Sequence, residues 1–268
     1  RVVCVSNTTG RARLLACRSC RALARCERCD AAVAMDDDGR LRCRRCDTVR
    51  PAACLECRAG AFANLRPGVT RLRDELEAAA GRSARLVTGA SDEPLFDARG
   101  VVPDVLVGTE AVLHRLDRAD VVAFLDLDAE LYAPRFRAAE QALALLARAA
   151  RLVGDRAGGG RLLLQTFSPD HEVVQAAVLG DPGLVASAET DRRQALGLPP
   201  FGAVAEVSGA GSAEFIASLG DPDGVTIGGG PERWLLRGNE RTRIGRALRR
   251  GVRPTGARLR IAVDPPRI

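Results

Sequence analysis

The sequence predicts an α/β protein with a double tetracysteine module near its start and a small β-α-β-β-α-β domain at its end. Three observations carry that reading. Four Cys-x-x-Cys pairs fall between Cys17 and Cys57, strand and helix patterns alternate from 70 to 167, and a second set follows Gly197. The expected parts are 1–13, the opening of the α/β lobe; 14–60, the cysteine module; 61–196, the rest of the lobe; and 197–268, the terminal domain.

Residues 1–13 begin with RVVCVS, a β-branched run that reads as a strand, with Cys4 as a small core residue. The pairs Cys17/Cys20, Cys26/Cys29, Cys43/Cys46 and Cys54/Cys57 follow. A two-residue spacer turns two thiolates toward one metal ion, and eight such ligands make two tetrahedral Cys4 zinc sites. Between Cys29 and Cys43, short alternating segments flank Asp37-Asp38-Gly39, which reads as a hairpin. That hairpin carries Cys26, Cys29, Cys43 and Cys46 to its open end, leaving Cys17, Cys20, Cys54 and Cys57 for the second zinc. The sites are then nested. The alternative, joining neighbouring pairs, stays open but leaves the hairpin without a metal at its base. Disulfides fit poorly with no visible signal peptide, and four repeated pairs are an odd construction for one redox site. Eight thiolates fill two tetrahedra, so the zinc is expected to be structural rather than catalytic.

Composition excludes several classes. All 40 basic residues are Arg, so a phosphate loop with a Walker lysine is absent. No apolar run approaches the roughly 18 residues that span a membrane, and the expectation is a soluble, cytoplasmic, nucleoid-associated protein without membrane partners. The formal charge is +6, and eight thiolates with two Zn²⁺ add a net −4. Leu14 to Cys57 holds nine Arg against seven acids and is not a basic patch. Pro231 to Ile268 holds eleven Arg against three acids, making it the place for an anionic partner.

After the module come a helix from Thr70 closed by Gly81, strands at Arg85, Asp104 and Asp120, a helix from about Phe136 to Val153, and a strand at Arg161. This order suits a parallel sheet, whose carboxyl strand ends carry ligands. Gly108-Thr109-Glu110 and Asp126/Asp128 are expected there, to hold a nucleotide or Mg²⁺ or to cap and solvate the strand end. His114 and His171 are isolated and read as structural. No catalytic residue is assigned. From Gly197 the order is β-α-β-β-α-β, a ferredoxin-like arrangement, and the arginines of its second helix, Arg241, Arg243, Arg246, Arg249 and Arg250, are the DNA-binding candidates. With Trp234 the only indole and Tyr132 the only phenol, phosphate contacts are expected to outweigh base stacking.

The cysteine array, VLVGT, FRAAE at Phe136 to Glu140, SPDH at Ser168 to His171 and GLPP at Gly197 to Pro200 together resemble the C-terminal half of the PriA family of bacterial replication restart proteins. The resemblance implies a second RecA-like helicase lobe with the zinc module inserted in it and a small C-terminal domain behind it. It implies the same nested ligand sets, and a first helicase lobe upstream of Arg1. It also implies recognition of abandoned forks, with forked and single-stranded DNA, single-strand-binding protein and the helicase-loading machinery as partners. ATP and Mg²⁺ join the two zincs as cofactors only if the motor works. In that family arginines of a QVAGRAGR-like segment reach the ATP phosphates; here Leu152 and Asp155 stand at two of those positions. The Lys-Gly loop after the GTQ-like strand end is also missing. Loss of an arginine finger costs about 10³ to 10⁵ in rate, so little or no ATP-driven unwinding is expected unless Arg148, Arg151 or Arg156 substitutes. Three functions follow: a recruiting restart factor, an active 3′-to-5′ helicase, or a zinc-ribbon interaction module unrelated to replication.

Overall fold

The computed structural model describes residues 1–6, 14–64, 69–88, 95, 101–155, 157–230 and 233–265. They form two compact units: Arg1–Pro134 with Ala138–Ala186, and Arg135–Arg137 with Ser187–Ile268. The division falls between Ala186 and Ser187, ahead of the boundary at 197 read from the sequence.

The first unit opens with β1 (Val2–Val5), then enters the cysteine module: β2 (Leu15–Cys17), β3 (Val33–Met35), β4 (Leu41–Cys43), β5 (Val49–Arg50) and β6 (Phe62–Asn64). The lobe resumes with α1 (Val69–Ala80), β7 (Ala84–Val87), β8 (Val105–Gly108), a 3₁₀ turn (Glu110–His114), β9 (Val121–Phe124) and α2 (Asp128–Leu131). It continues through α3 (Ala138–Val153), β10 (Arg161–Leu164), α4 (Glu172–Leu179) and the first turn of α5 (Gly183–Leu196). Five strands make a parallel sheet in the order β10-β9-β1-β8-β7. The central strands are buried on both faces, as runs such as Val105–Val107 require. Helix α3 presents Ala139, Ala142, Leu146, Ala149 and Leu152 to the core, one stripe at helical spacing. Cys4 is buried in β1 among Val105, Val107 and Ala123. β1 is the middle strand of the five.

The second unit holds β11 (Ala203–Ser208), α6 (Ser212–Ser218), β12 (Val225–Gly230), β13 (Arg233–Gly238), α7 (Arg241–Arg250) and β14 (Arg260–Val263). Its antiparallel sheet runs β12-β13-β11-β14, the strand order of a split β-α-β pair. Phe215, Leu236 and Ile244 fill its core. Phe136, on the short strap between α2 and α3, packs with Leu198 and Val204 of this unit. Among the described residues, no helix is long and apolar enough to cross a membrane.

The structure corrects two local expectations. β9 ends at Phe124, so Asp128 is not at a strand end but in the first turn of α2, and it is buried rather than solvated. Helices α4 and α5 arise where the sequence reading assigns no element. In α5 an inward position is Glu189, buried and paired with Arg192 and Arg193, so the apolar stripe that would announce the helix is broken by an acid.

Candidate metal centre

Each Cys-x-x-Cys pair folds as the same small loop. The N–H of the residue after the second cysteine donates to the carbonyl of the first: Arg21 to Cys17, Asp30 to Cys26, Asp47 to Cys43 and Arg58 to Cys54, at 2.9–3.0 Å. The first cysteine's N–H then donates to the carbonyl one residue further on: Ala22, Ala31, Thr48 and Ala59. Closing so tight a loop forces the residue after the second cysteine into the left-handed region, and φ is 66° at Arg21, 61° at Asp30, 59° at Asp47 and 64° at Arg58. None of the four is glycine. Each therefore stores backbone strain, least at the aspartates. The strain is held because both sulfurs must point the same way.

The hairpin then brings two loops together. β3 and β4 pair antiparallel, Val33 opposite Cys43, and Gly39 takes φ 72° in the turn between them. Cys26, Cys29, Cys43 and Cys46 meet at its open end, with Cys26–Cys46 and Cys29–Cys43 sulfurs 3.5 Å apart. β2 and β6 pair antiparallel around this hairpin, and Cys17, Cys20, Cys54 and Cys57 meet at their ends, with Cys17–Cys57 at 3.5 Å and Cys20–Cys54 at 3.6 Å. The ligand atoms of each quartet all lie within 4.8 Å of one another. One quartet is thus inner and the other outer in sequence, with no sharing between neighbouring pairs.

The donor set suits a divalent cation. A tetrahedral zinc with Zn–S near 2.3 Å needs sulfur–sulfur edges of about 3.8 Å, close to those seen. Electrostatics inside the quartets point the same way. The backbone N–H of Cys20 chiefly holds Cys17 down to about 6, while Cys20, despite a hydrogen bond from Ala22, is pushed up to about 12 by its thiol neighbours. The Cys43 thiol holds Cys29 down to about 5 and is itself driven far up. Burial raises Cys26. Without a cation the thiolate is favoured on Cys17 over Cys20 and on Cys29 over Cys43. A Zn²⁺ ion lets all four ionise together. The two tetracysteine clusters are consistent with two zinc sites.

The inner quartet is further anchored to the lobe. Arg45, inside the Cys43–Cys46 spacer and buried, donates to the carbonyl of Cys29 at 3.1 Å and of Ala133 at 2.9 Å. Ala32 donates to the carbonyl of Tyr132 at 2.8 Å. Arg25 stacks over the Tyr132 ring at 5.2 Å and reaches its hydroxyl, which donates to Ser168 at 2.8 Å. Buried Arg50 joins the quartets, donating to the carbonyl of Arg25, next to Cys26, and of Ala53, next to Cys54. Apart from the bond from Arg50 to Ala53, none of these partners is visible from spacing, because each joins residues distant in sequence.

The remaining candidates separate. Gly108 closes β8, and a Cβ there would lie 1.9 Å from the Val87 carbonyl oxygen, so the glycine answers a packing demand. Thr109 caps the 3₁₀ turn that Glu110 begins, and His114 is exposed at its end. Asp128 accepts from the Thr166 hydroxyl and the Phe167 N–H, both at 3.0 Å, and is committed to the loop after β10. Asp126 also makes an interaction of its own. His171 caps α4 through Nδ1, accepting from Val173, and packs edge-on against Tyr132. On α7, Arg241 pairs with Asp264 and Arg243 with Asp223 and Glu240. Arg246, Arg249 and Arg250 are exposed with no ion-pair partner among the described residues, and so are Arg253, Arg258 and Arg260 in the segment that follows.

No family model matches the chain. Curated proteins do. The chain is 28% identical over 209 residues to the replication restart protein PriA of Bacillus subtilis, covering 73% of this chain and 26% of that protein. It is 34% identical over 219 residues to the probable replication restart protein PriA of Mycobacterium tuberculosis, covering 78% and 33%. The PriA of Thermotoga maritima is 28% identical over 203 residues, covering 69% and 27%. The chain is homologous to the C-terminal portion of PriA replication restart proteins. It spans about a quarter to a third of the length of these PriA relatives.

Proposed function

We propose that this chain is the zinc-bearing C-terminal part of a replication restart factor that binds abandoned or stalled DNA forks and promotes primosome assembly and reloading of the replicative helicase. The observation that carries the reading is the pair of nested cysteine quartets in a chain homologous to PriA. Cys17, Cys20, Cys54 and Cys57 hold one zinc; Cys26, Cys29, Cys43 and Cys46 hold the other. Both are structural. Forked and single-stranded DNA, single-strand-binding protein and the loading machinery are the partners, with Arg246, Arg249 and Arg250 of α7 facing phosphate.

Recruitment without a strong motor is favoured by what stands at the arginine-finger positions. Leu152 is 3% exposed in the core, and the Asp155 carboxylate accepts from the Gly158 N–H. Arg148 donates to the carbonyl of Leu113 at 2.9 Å. A second reading, an active ATP-dependent 3′-to-5′ helicase, is favoured by Arg151, exposed on α3 with no partner among the described residues. Arg156 lies outside the described residues.

The test is fork binding by the full-length protein at several salt concentrations, beside fork-stimulated ATP hydrolysis. Replacing Arg246, Arg249 and Arg250 with Ala is expected to weaken binding and reduce the salt slope by about 3, since each arginine that neutralises a phosphate adds about one to it. Binding without hydrolysis supports recruitment. Hydrolysis abolished by Arg151→Ala supports the motor, and zinc-loaded protein that binds no fork leaves the interaction module unrelated to replication.

A further inference from the structure

The two quartets differ in access. In the inner one all four cysteines are buried, with Cys43 fully enclosed and Cys46, the most open, at 9%. In the outer one Cys17 and Cys54 are buried while Cys20 and Cys57 are exposed. The exposed pair sits in open loops: Arg18, Ser19 and Arg21 surround Cys20, and Leu55, Glu56 and Arg58 surround Cys57, all exposed. The sulfur of each exposed cysteine lies against that of a buried cysteine of the opposite loop, Cys57 by Cys17 at 3.5 Å and Cys20 by Cys54 at 3.6 Å. The outer quartet therefore pairs a sulfur that a small oxidant reaches with a second sulfur ready to resolve the product. Oxidation of cysteine follows thiolate character and access. A zinc-bound sulfur supplies the first, and here only the outer site supplies the second.

We propose that the outer quartet is an oxidation site for hydrogen peroxide, which converts it to a disulfide and releases its zinc while the inner site stays loaded. The inference rests on the zinc reading above. The Cys57 thiolate attacks one peroxide oxygen, the O–O bond breaks, and a sulfenic acid forms with departure of hydroxide. The Cys17 thiolate then attacks the sulfenic sulfur, the S–S bond forms, and a second hydroxide leaves. Two thiolates have lost two electrons, the peroxide has gained them, and two protons from solvent turn the hydroxides into water. Cys20 and Cys54 are placed for the same sequence. A quartet with two sulfurs joined to each other no longer holds Zn²⁺ in a tetrahedron, and the ion leaves. Two equivalents of a small thiol reverse the step.

The experiment uses the full chain, purified reduced, with its zinc counted before hydrogen peroxide is added. Zinc release is followed with a chelating dye, and disulfides are mapped by peptide mass. The expected result is an early phase releasing one zinc per chain, at least about tenfold faster than the second, with Cys17–Cys57 or Cys20–Cys54 linked and the inner four cysteines still reduced. The Cys20→Ser, Cys57→Ser double variant should start with one zinc and show the slow phase alone. Both zincs leaving in one phase, or early disulfides among Cys26, Cys29, Cys43 and Cys46, would overturn the inference and leave the zinc reading standing. A reduced chain that carries no zinc before peroxide overturns both.

Discussion

The inner and outer quartets have the same ligands, the same loop geometry and nearly the same sulfur spacing, yet they are built into the molecule differently. The inner one closes a hairpin whose turn needs only Asp37 to Gly39, and Arg45 and the Tyr132–Ala133 backbone fasten it to the lobe. The outer one closes a ribbon, β2 with β6, whose strands are joined through the whole inner module. In the unfolded chain its ligands are far apart, so its metal orders a longer loop. Identical coordination therefore does not make identical sites. What differs is the packing around them, and each expected effect below follows from that difference.

The largest effect is loss of an inner ligand. Structural zinc in small domains contributes on the order of 10 kcal/mol or more to folding, so Cys26→Ala is expected to release the inner zinc and unfold the module around it. The ribbon that carries the outer loops is joined through that hairpin and tied to it by Arg50, so the outer zinc should be lost as well. Cys57→Ser should cost the outer zinc alone. Zinc counts for the two variants by native mass spectrometry, zero against one, measure the asymmetry; one retained zinc in both would remove it.

A smaller effect comes from the anchor. Arg45→Met keeps much of the volume but leaves the carbonyls of Cys29 and Ala133 without their donor, at a cost of about 1–3 kcal/mol. Thermal unfolding of the zinc-loaded chain reads the loss, which should leave both zincs bound. An unchanged midpoint would mean the inner site stands without its attachment to the lobe.

The smallest effect has the opposite sign. Arg21 and Arg58 hold the left-handed conformation at the two outer loops, where glycine carries no steric penalty. Arg21→Gly or Arg58→Gly is expected to stabilise the outer site by up to about 1 kcal/mol, seen as tighter zinc retention against a chelator. A loss of retention would show that those side chains contribute interactions worth more than the strain.

Much of this was legible in the residues. The repeated spacer marked eight sulfurs, and Asp37-Asp38-Gly39 marked the hairpin that decides which of them meet. In the second unit the alternation of apolar runs around helix signals gave the β-α-β-β-α-β order, because its elements are short and Gly or Pro falls in or beside the turns between them. What stayed hidden was long-range or against pattern. Nothing near Arg45 points to Ala133, and nothing in Arg21 or Asp47 announces a left-handed backbone, since the loop imposes it on residues with no preference of that kind. Asp128 shows the same limit: its carboxylate looked available for a cation at a strand end, but a partner beyond α3, Thr166, had already engaged it. Among the five arginines of α7, charge alone could not tell Arg241, paired with Asp264, from Arg246, which is open.

The most direct test of the account is zinc X-ray absorption on the reduced chain, combined with metal analysis per mole of protein. Two nested tetracysteine sites predict two zincs per chain, each with four sulfur neighbours near about 2.3 Å and no nitrogen or oxygen in the shell. One zinc or none, or a shell containing light-atom ligands, would contradict it.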